Sequence, residues 1–585
     1  MNISDNSPFD VEALKNLVEA ENVYNSREVQ LHTLLKQKSR LNCVKDGASN
    51  TTFLHANLKV RKTKNLISEI EMRDGNVINN QKDIADELVS HFEKKFEFQD
   101  VLIEESLLKN IPEVISSEDQ TMLDKIPEEE EIKDTIFSID PDSSPGSDGF
   151  SGIFYRACWQ IIKENVVQAI QFCWSRKFIP KGLNSKFLVL LPKVEGAKSP
   201  NQFRPIGLSN VSFKIFTKLI TNRMSGLMAK IISSQQAAYV KGRCIQEQIL
   251  LASKMVNEMK KKRRCGNVGL KLDISQAYDS SAKIFVMLNG GPSGFSSVDY
   301  SNGNKGGIHP THLMLADDVF IFLNGAKKSV TNLLKLLDDY QKSSGQVINK
   351  LKSKYFIDGT SDLRKNYLQN IIQMKVSVFP DKYLGVILVT GKVKSSTIWP
   401  MMEIMQRKLA TWKGKLLSFQ ERLVLIKSVL CSIPVYNMAI YKWPSSVIKA
   451  CEKIIRNFLW YGDSETRKYK VLYWRKVCTP YSEGGLGIQR IEVINKAFLM
   501  KMLCKIVNSQ EDWALFFKSK YKDKHNQWCN NWKMSSVWNG LKWAWQSLQE
   551  YLKWSVGNGK TISLWFDVLA RRFPTEKCYG EISIL

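Results

Sequence analysis

The sequence predicts an α+β fold with helix-rich N- and C-terminal extensions. Three observations carry that expectation. VEALKNLVEAENVY near the start repeats its apolar residues at helical spacing. FLVLLPKV at 187–194, NVGLKLDISQAYD at 267–279 and HLMLADDVFIF at 312–322 read as strands in the middle of the chain. From about residue 396 the chain returns to helical, basic patterns such as MQRKLATWKGKLLSFQERLVLIKSVL.

Taken in order, residues 1–100 form a helical connector region that ends in DIADELVSHFEKKFEF. Residues 101–142 hold thirteen Asp or Glu against three Lys and read as an acidic linker with solvated faces. SSPGSDGFSG from 143 is a turn cluster. The next helix carries Trp159, Ile162, Val166 and Ile170 on one stripe. NQFRPIGLSN at 201–210 reads as a turn into the basic helix VSFKIFTKLITNRMSGLMAKI. In 267–279 the alternation places Val268, Leu270, Leu272 and Ile274 inward and Lys271, Asp273 and Ser275 outward. NGGPSGFSSVDYSNGNKGGIHP at 289–310 is a long irregular loop. HLMLADDVFIF reads strand, turn, strand, and a helix, a break at Gly345 and a further strand follow. Ten of the fifteen tryptophans lie from Trp460 onward, where their stripes suit a core better than a base-stacking platform.

A formal net charge of +26 suits a polyanionic partner, and nucleic acid fits best. The eleven cysteines form no CxxC pair and the six histidines no HxxxH, so no zinc site is visible. No apolar run is long enough to span a bilayer, and the polar, acidic N-terminus does not read as a signal peptide. The expectation is a soluble intracellular protein.

Adjacent carboxylates repel. A metal site uses that arrangement, because a divalent cation relieves the repulsion. Two-metal nucleotidyl transfer needs carboxylates that converge on two Mg²⁺ ions. Asp273 on one strand, with Asp317 and Asp318 at a hairpin tip, are the candidates. By themselves an Ala-Asp-Asp turn and an outward strand aspartate are more often only that.

The surrounding words occur in a fixed order: PGSDGF at 145–150, LPKVEGA at 191–197, FRPIGLSNVSFKIFTKLITNRM at 203–224, QQAAYVKGRCIQEQIL, KLDISQAYD, ADD, SGQVINKLKSKYF and YLGVIL. As a set they resemble the reverse transcriptase of plant LINE-type non-LTR retrotransposons, from about Asn42 to the C-terminal end. The resemblance implies a right-hand polymerase, with fingers and palm at 143–395, a helical thumb at 396–460 and a Trp-rich region at 461–585. It implies that Asp273, Asp317 and Asp318 hold two Mg²⁺ ions. Lys193 and Arg204 match positions that contact the incoming triphosphate, a role suited to a point charge and a bidentate fork. Tyr278 matches the aromatic beside the sugar. YLGVIL at 383–388 looks like the primer grip. Arg407, Lys408, Lys413 and Lys415 suit template–primer phosphates. The run Lys260–Arg264 suits backbone phosphates, a nuclear import signal or a solvated helix end. The partners implied are an RNA template, a DNA primer and deoxynucleoside triphosphates, in the nucleus.

The chain departs from that family in two ways. Asp317 follows Asp273 by only 44 positions, where the family has a long palm helix and a further motif. No counterpart of the upstream endonuclease domain is expected. A real internal deletion and a gene model that dropped coding sequence give the same text. Catalysis needs reacting groups placed to within about an ångström. The expectation is therefore an incomplete palm and an impaired or inactive polymerase. The alternative is a non-catalytic nucleic-acid-binding relic.

Overall fold

The computed structural model describes residues 10–39, 51–97 except 73, 113–275 except 234, 311–462 except 413, 472–523, 527–529 and 535–549. The chain mixes helices and sheets, as the α+β expectation requires. It divides into two compact units, Met1–Phe98 with Ile126–Leu219, and Gln99–Lys125 with Ile220–Leu585. Among the described residues no helix is long and apolar enough to cross a membrane.

In the first unit, helices α1 (Val11–Ser39), α2 (Thr51–Asn65) and α3 (Gln81–Phe96) match the helical spacing of the sequence. Asn80 caps α3 by accepting from the Lys82 N–H, and Ile84, Leu88 and Phe92 fall four apart on its buried face. They pack with Ile70 and Phe203. The acidic stretch is not a plain linker. Ser117–Asp124, which belongs to the second unit, is a helix opened by a Ser116–Asp119 capping box. Helix α4 (Glu129–Ser138) buries Ile132, Thr135 and Ile136, while Glu129, Glu130 and Glu131 fill its first turn, where the helix dipole favours acids. Helices α5 (Gly152–Ala157), α6 (Trp159–Arg176) and α7 (Val211–Ser225) complete this core through Tyr155, Trp159, Ile170, Val211, Ile215 and Leu219.

Strands β1 (Lys186–Pro192) and β2 (Phe203–Ser209) form an antiparallel ribbon of seven facing pairs. The sequence reading of 201–210 as a turn is thus corrected. Pro205 and Gly207 looked like turn residues, but a two-stranded ribbon leaves each strand a free edge, where Pro is tolerated.

The second unit is built on a sheet of β3 (Asn267–Ser275), β4 (His312–Leu315), β5 (Asp318–Asn324), β6 (Val347–Ile348), β7 (Lys354–Asp358) and β8 (Lys375–Val376). Its order is β8-β7-β3-β5-β4, with β6 also on β3, and only β8–β7 is parallel. The predicted alternation holds: Val268, Leu270, Leu272 and Ile274 are buried. They share a core with Val319, Ile321, Leu323 and Tyr355. Helices α9 (Lys327–Ser344) and α10 (Asp362–Ile372) cover it with Val330, Leu333, Tyr340, Leu368 and Ile372. The predicted break after α9 is a left-handed cap at Gly345, φ 68°.

The opposite face also meets protein. Phe320, Phe322 and Phe356 belong to a core with helix α8 (Ile245–Met259). A Cβ on Gly269 would stand 3.1 Å from the Phe320 ring and 3.2 Å from the Met259 sulfur, so β3 and α8 approach closely there. The same core runs through the hairpin β9 (Asp381–Tyr383) and β10 (Val386–Leu388). It continues through α11 (Ser395–Thr411), α12 (Phe419–Leu425), α13 (Ser445–Tyr461), α14 (Ile491–Asn508), α15 (Asp512–Tyr521) and α16 (Trp538–Leu548). Trp443 is buried in it, and so are Trp513 and Trp538, so for those two the core reading of the tryptophans beyond 460 holds.

Candidate active site

Strand β3 lies between β5 and β7, so both of its edges are hydrogen-bonded. Asp273 therefore sits on a well-fixed backbone. Its N–H donates to the Ser353 hydroxyl at 3.1 Å, and its C=O accepts from the Asn349 N–H at 2.9 Å. Across the β3–β5 pair, Asp273 directly faces Asp318. The Leu315–Asp318 pair closes the β4–β5 hairpin, leaving Ala316 and Asp317 as a two-residue turn. Ala316 has φ 52°, in the region that costs an L-residue about 1 kcal/mol or more. A positive φ at the first turn residue alone is the pattern of type II′ hairpins.

Asp317 is exposed, while Asp273 and Asp318 are half-buried. Burial pushes the Asp318 carboxyl above its ordinary range. The charges of Asp317 and Asp273 push the same way and Lys271 opposes them. Lys271 is two residues before Asp273, on the same side of β3. Its ammonium donates to the Lys382 C=O at 2.6 Å and reaches Asp381 at 3.4 Å. Lys354 pairs with the same Asp381 at 2.7 Å.

The donor chemistry suits a hard divalent cation. The placement falls short of it: among the described residues no three His, Cys, Asp or Glu side chains group closely enough to hold a metal ion.

The other predicted site residues stand as follows. Lys193 and Arg204 lie in the first unit, at one end of the β1–β2 ribbon, where Leu191 faces Arg204 and Pro192 faces Phe203. Both are exposed, and the Lys193 ammonium donates to the Asn201 C=O at 2.7 Å. Tyr278 is outside the described residues, as are the positions from 276 to 310. YLGVIL forms the β9–β10 hairpin, with Leu384 at φ 47° and Gly385 at φ 82° in its turn. Arg407 and Lys408 are exposed on α11. Lys413 is outside the described residues. Sequence reasoning missed the part played by Lys271, although its period-two spacing from Asp273 was available. It also missed Asp381, Ser353 and Gln236, which meet the site only through the fold.

Residues 191–281 match the family described as "Reverse transcriptase (RNA-dependent DNA polymerase)", a span that contains Lys193, Arg204, Asp273 and Tyr278. The chain is 29% identical over 184 residues to a protein of Arabidopsis thaliana whose name describes a ribonuclease H protein, covering 30% of this chain and 29% of that one. It is 21% identical over 563 residues to an uncharacterized protein of transposon TX1 from Xenopus laevis, covering 84% of this chain and 42% of the relative. It is 26% identical over 171 residues to a retrovirus-related Pol polyprotein from the type-1 retrotransposable element R1 of Bradysia coprophila, covering 28% of this chain and 16% of the relative. The chain thus spans less than half the length of each of these relatives. The matches support a reverse-transcriptase-like function of the non-LTR type.

Proposed function

We propose that the chain is the reverse-transcriptase part of a plant LINE-type non-LTR retrotransposon product, an RNA-directed DNA polymerase by descent whose catalytic centre is impaired. The observation that carries this reading is Asp273 facing Asp318 beside a two-residue Ala316–Asp317 turn. That sheet is the palm of the proposal, the β1–β2 ribbon belongs to its fingers, and α11 opens its thumb. Asp273, Asp317 and Asp318 are the residues that would hold Mg²⁺. In this reading the short span of 44 positions from Asp273 to Asp317 is what impairs the centre. Lys193 and Arg204 would bind the triphosphate of an incoming deoxynucleotide, and Tyr278 would face its sugar. Arg407, Lys408 and the exposed members of the run Lys260–Arg264 would bind template–primer phosphates.

Primer extension on an RNA template with Mg²⁺ and deoxynucleotides tests the enzymatic part. The expected result is weak incorporation that disappears in Asp317→Ala. Well-folded protein with no incorporation at all overturns the activity.

The second reading is a non-catalytic nucleic-acid-binding protein, favoured by the +26 charge and by the lack, among the described residues, of a three-ligand metal group. It predicts binding to template–primer that weakens steeply with salt and shows little sequence preference. Affinity unchanged between low and moderate salt would remove it.

A further inference from the structure

Gln235, Gln236 and Ala237 lie against the edge of β4 as a short strap. β4 is the edge strand of the sheet, and Gln236 forms a parallel bridge with its Met314. The Met314 N–H donates to the Gln235 C=O at 3.2 Å, and the Ala237 N–H donates to the Met314 C=O at 3.2 Å. The strap is fixed in turn by Arg243. That guanidinium donates to the C=O of Ile232 at 3.0 Å, of Gln236 at 2.7 Å and of Ser233.

Within the strap, the Gln236 side chain is buried. Its amide oxygen accepts from the Ala238 N–H at 2.9 Å and from the Ala316 N–H at 3.1 Å. Ala316 is the first turn residue and has the left-handed φ of 52°. Turn N–H groups of a two-residue hairpin lie beyond the ladder, so an outside acceptor decides where the turn rests. The acceptor here is 80 residues earlier in the chain.

We propose that Gln236 is a positioning residue for the Asp317–Asp318 turn, setting through the Ala316 N–H where the two carboxylates stand relative to Asp273. Its meaning for nucleotide transfer rests on the polymerase reading, while the hydrogen bond does not. Gln236→Met removes the acceptor at nearly constant volume. Gln236→Asn keeps the polarity but draws the oxygen back by one methylene. Gln236→Glu keeps an acceptor in place.

Hydrogen exchange of the full chain, read by mass spectrometry in peptides spanning 312–320, tests the proposal. A lost bond of about 1 kcal/mol corresponds to exchange roughly fivefold faster. The expected result is that acceleration at the turn in Gln236→Met and Gln236→Asn, unchanged exchange in β3 and β7, and turn exchange within about twofold of the parent in Gln236→Glu. Unchanged exchange at the turn in Gln236→Asn overturns the proposal. So does acceleration spread equally over β3, β5 and β7, which marks general loosening. Should Gln236→Met fail to fold, the milder Gln236→Asn still decides the question. Absence of primer extension by the parent protein bears on the polymerase reading and leaves this exchange comparison intact.

Discussion

Lys254 and Glu258, one turn apart on α8, form an ion pair of 2.7 Å with 0% and 2% of their side chains exposed. Lys261 reaches the same carboxylate at 2.5 Å, and the Lys254 ammonium lies 5.0 Å from the centre of the Tyr521 ring. Burial acts to raise the Glu258 pKa, but Lys254 and Lys261 outweigh it and hold the carboxyl below its ordinary range. Burial lowers the Lys254 ammonium, with Glu258 opposing. Breaking one side of such a pair leaves an uncompensated buried charge, so Glu258→Leu alone should cost about 3–5 kcal/mol. The double variant Lys254→Met with Glu258→Leu should come much nearer the parent. A depressed carboxyl pKa contributes stability above the unfolded value and loses it as pH falls through the folded one. The parent should therefore weaken toward acid, and the double variant should lack that part of the slope. Urea midpoints between neutral and mildly acid pH measure both effects.

Asp318 has the opposite sign. A raised carboxyl pKa means the fold prefers the protonated form, so its contribution is complete below the unfolded pKa and is lost as pH rises through the folded one. Asp318→Asn should stabilise the protein near neutral pH by up to about 1 kcal/mol, a figure limited by the partial exposure of the group. The gain should vanish in acid. Denaturant midpoints of the two proteins across pH give the comparison.

Asn495 on α14 is fully buried. Its amide donates to the C=O of Met438 and Tyr441, both at 2.8 Å, and its oxygen accepts from the Trp443 N–H at 2.9 Å. Asn495→Leu would strand those backbone groups, at about 1–3 kcal/mol for each one left unsatisfied. A fall in denaturant midpoint of the second unit, with faster exchange at 438–443, is the expected outcome.

Gly269 marks a close approach of β3 to α8. Gly269→Val would press its methyls into the Phe320 ring and the Met259 thioether. Overpacking of this kind costs about 1–3 kcal/mol. Gly269→Ala, whose Cβ needs only a few tenths of an ångström from Met259 and Phe320, should cost less. Thermal unfolding of both variants ranks them.

Much of this sheet was legible in the sequence because β3 and β5 alternate or run apolar without interruption, and periodicity survives any context. Gly345 was legible as a break because the left-handed cap that ends α9 favours glycine. The strand at Phe203–Ser209 was hidden by Pro205 and Gly207, whose local preference for turns lost to seven pairings with β1. The helix at Glu129–Ser138 was hidden by its acidic first turn, which masked Ile132 and Ile136 behind it. Within the site, Asp273 and the Asp317–Asp318 turn could be picked out as chemistry. Gln236 and Asp381 could not: their contacts, with Ala316 and Lys271, span 80 and 110 positions, which no local pattern encodes.

The core that joins α8 to α16 has a consequence during synthesis. Ser253 on α8 bonds to Tyr441 across 188 residues and to Ser536 across 283. At about 5–20 residues per second, a ribosome needs roughly 15–60 s to deliver Ser536 after Ser253. Throughout that interval α8, apolar and carrying two charges meant for the interior, has emerged without its lid. The nascent chain should thus depend on holding chaperones until the last described helix is made.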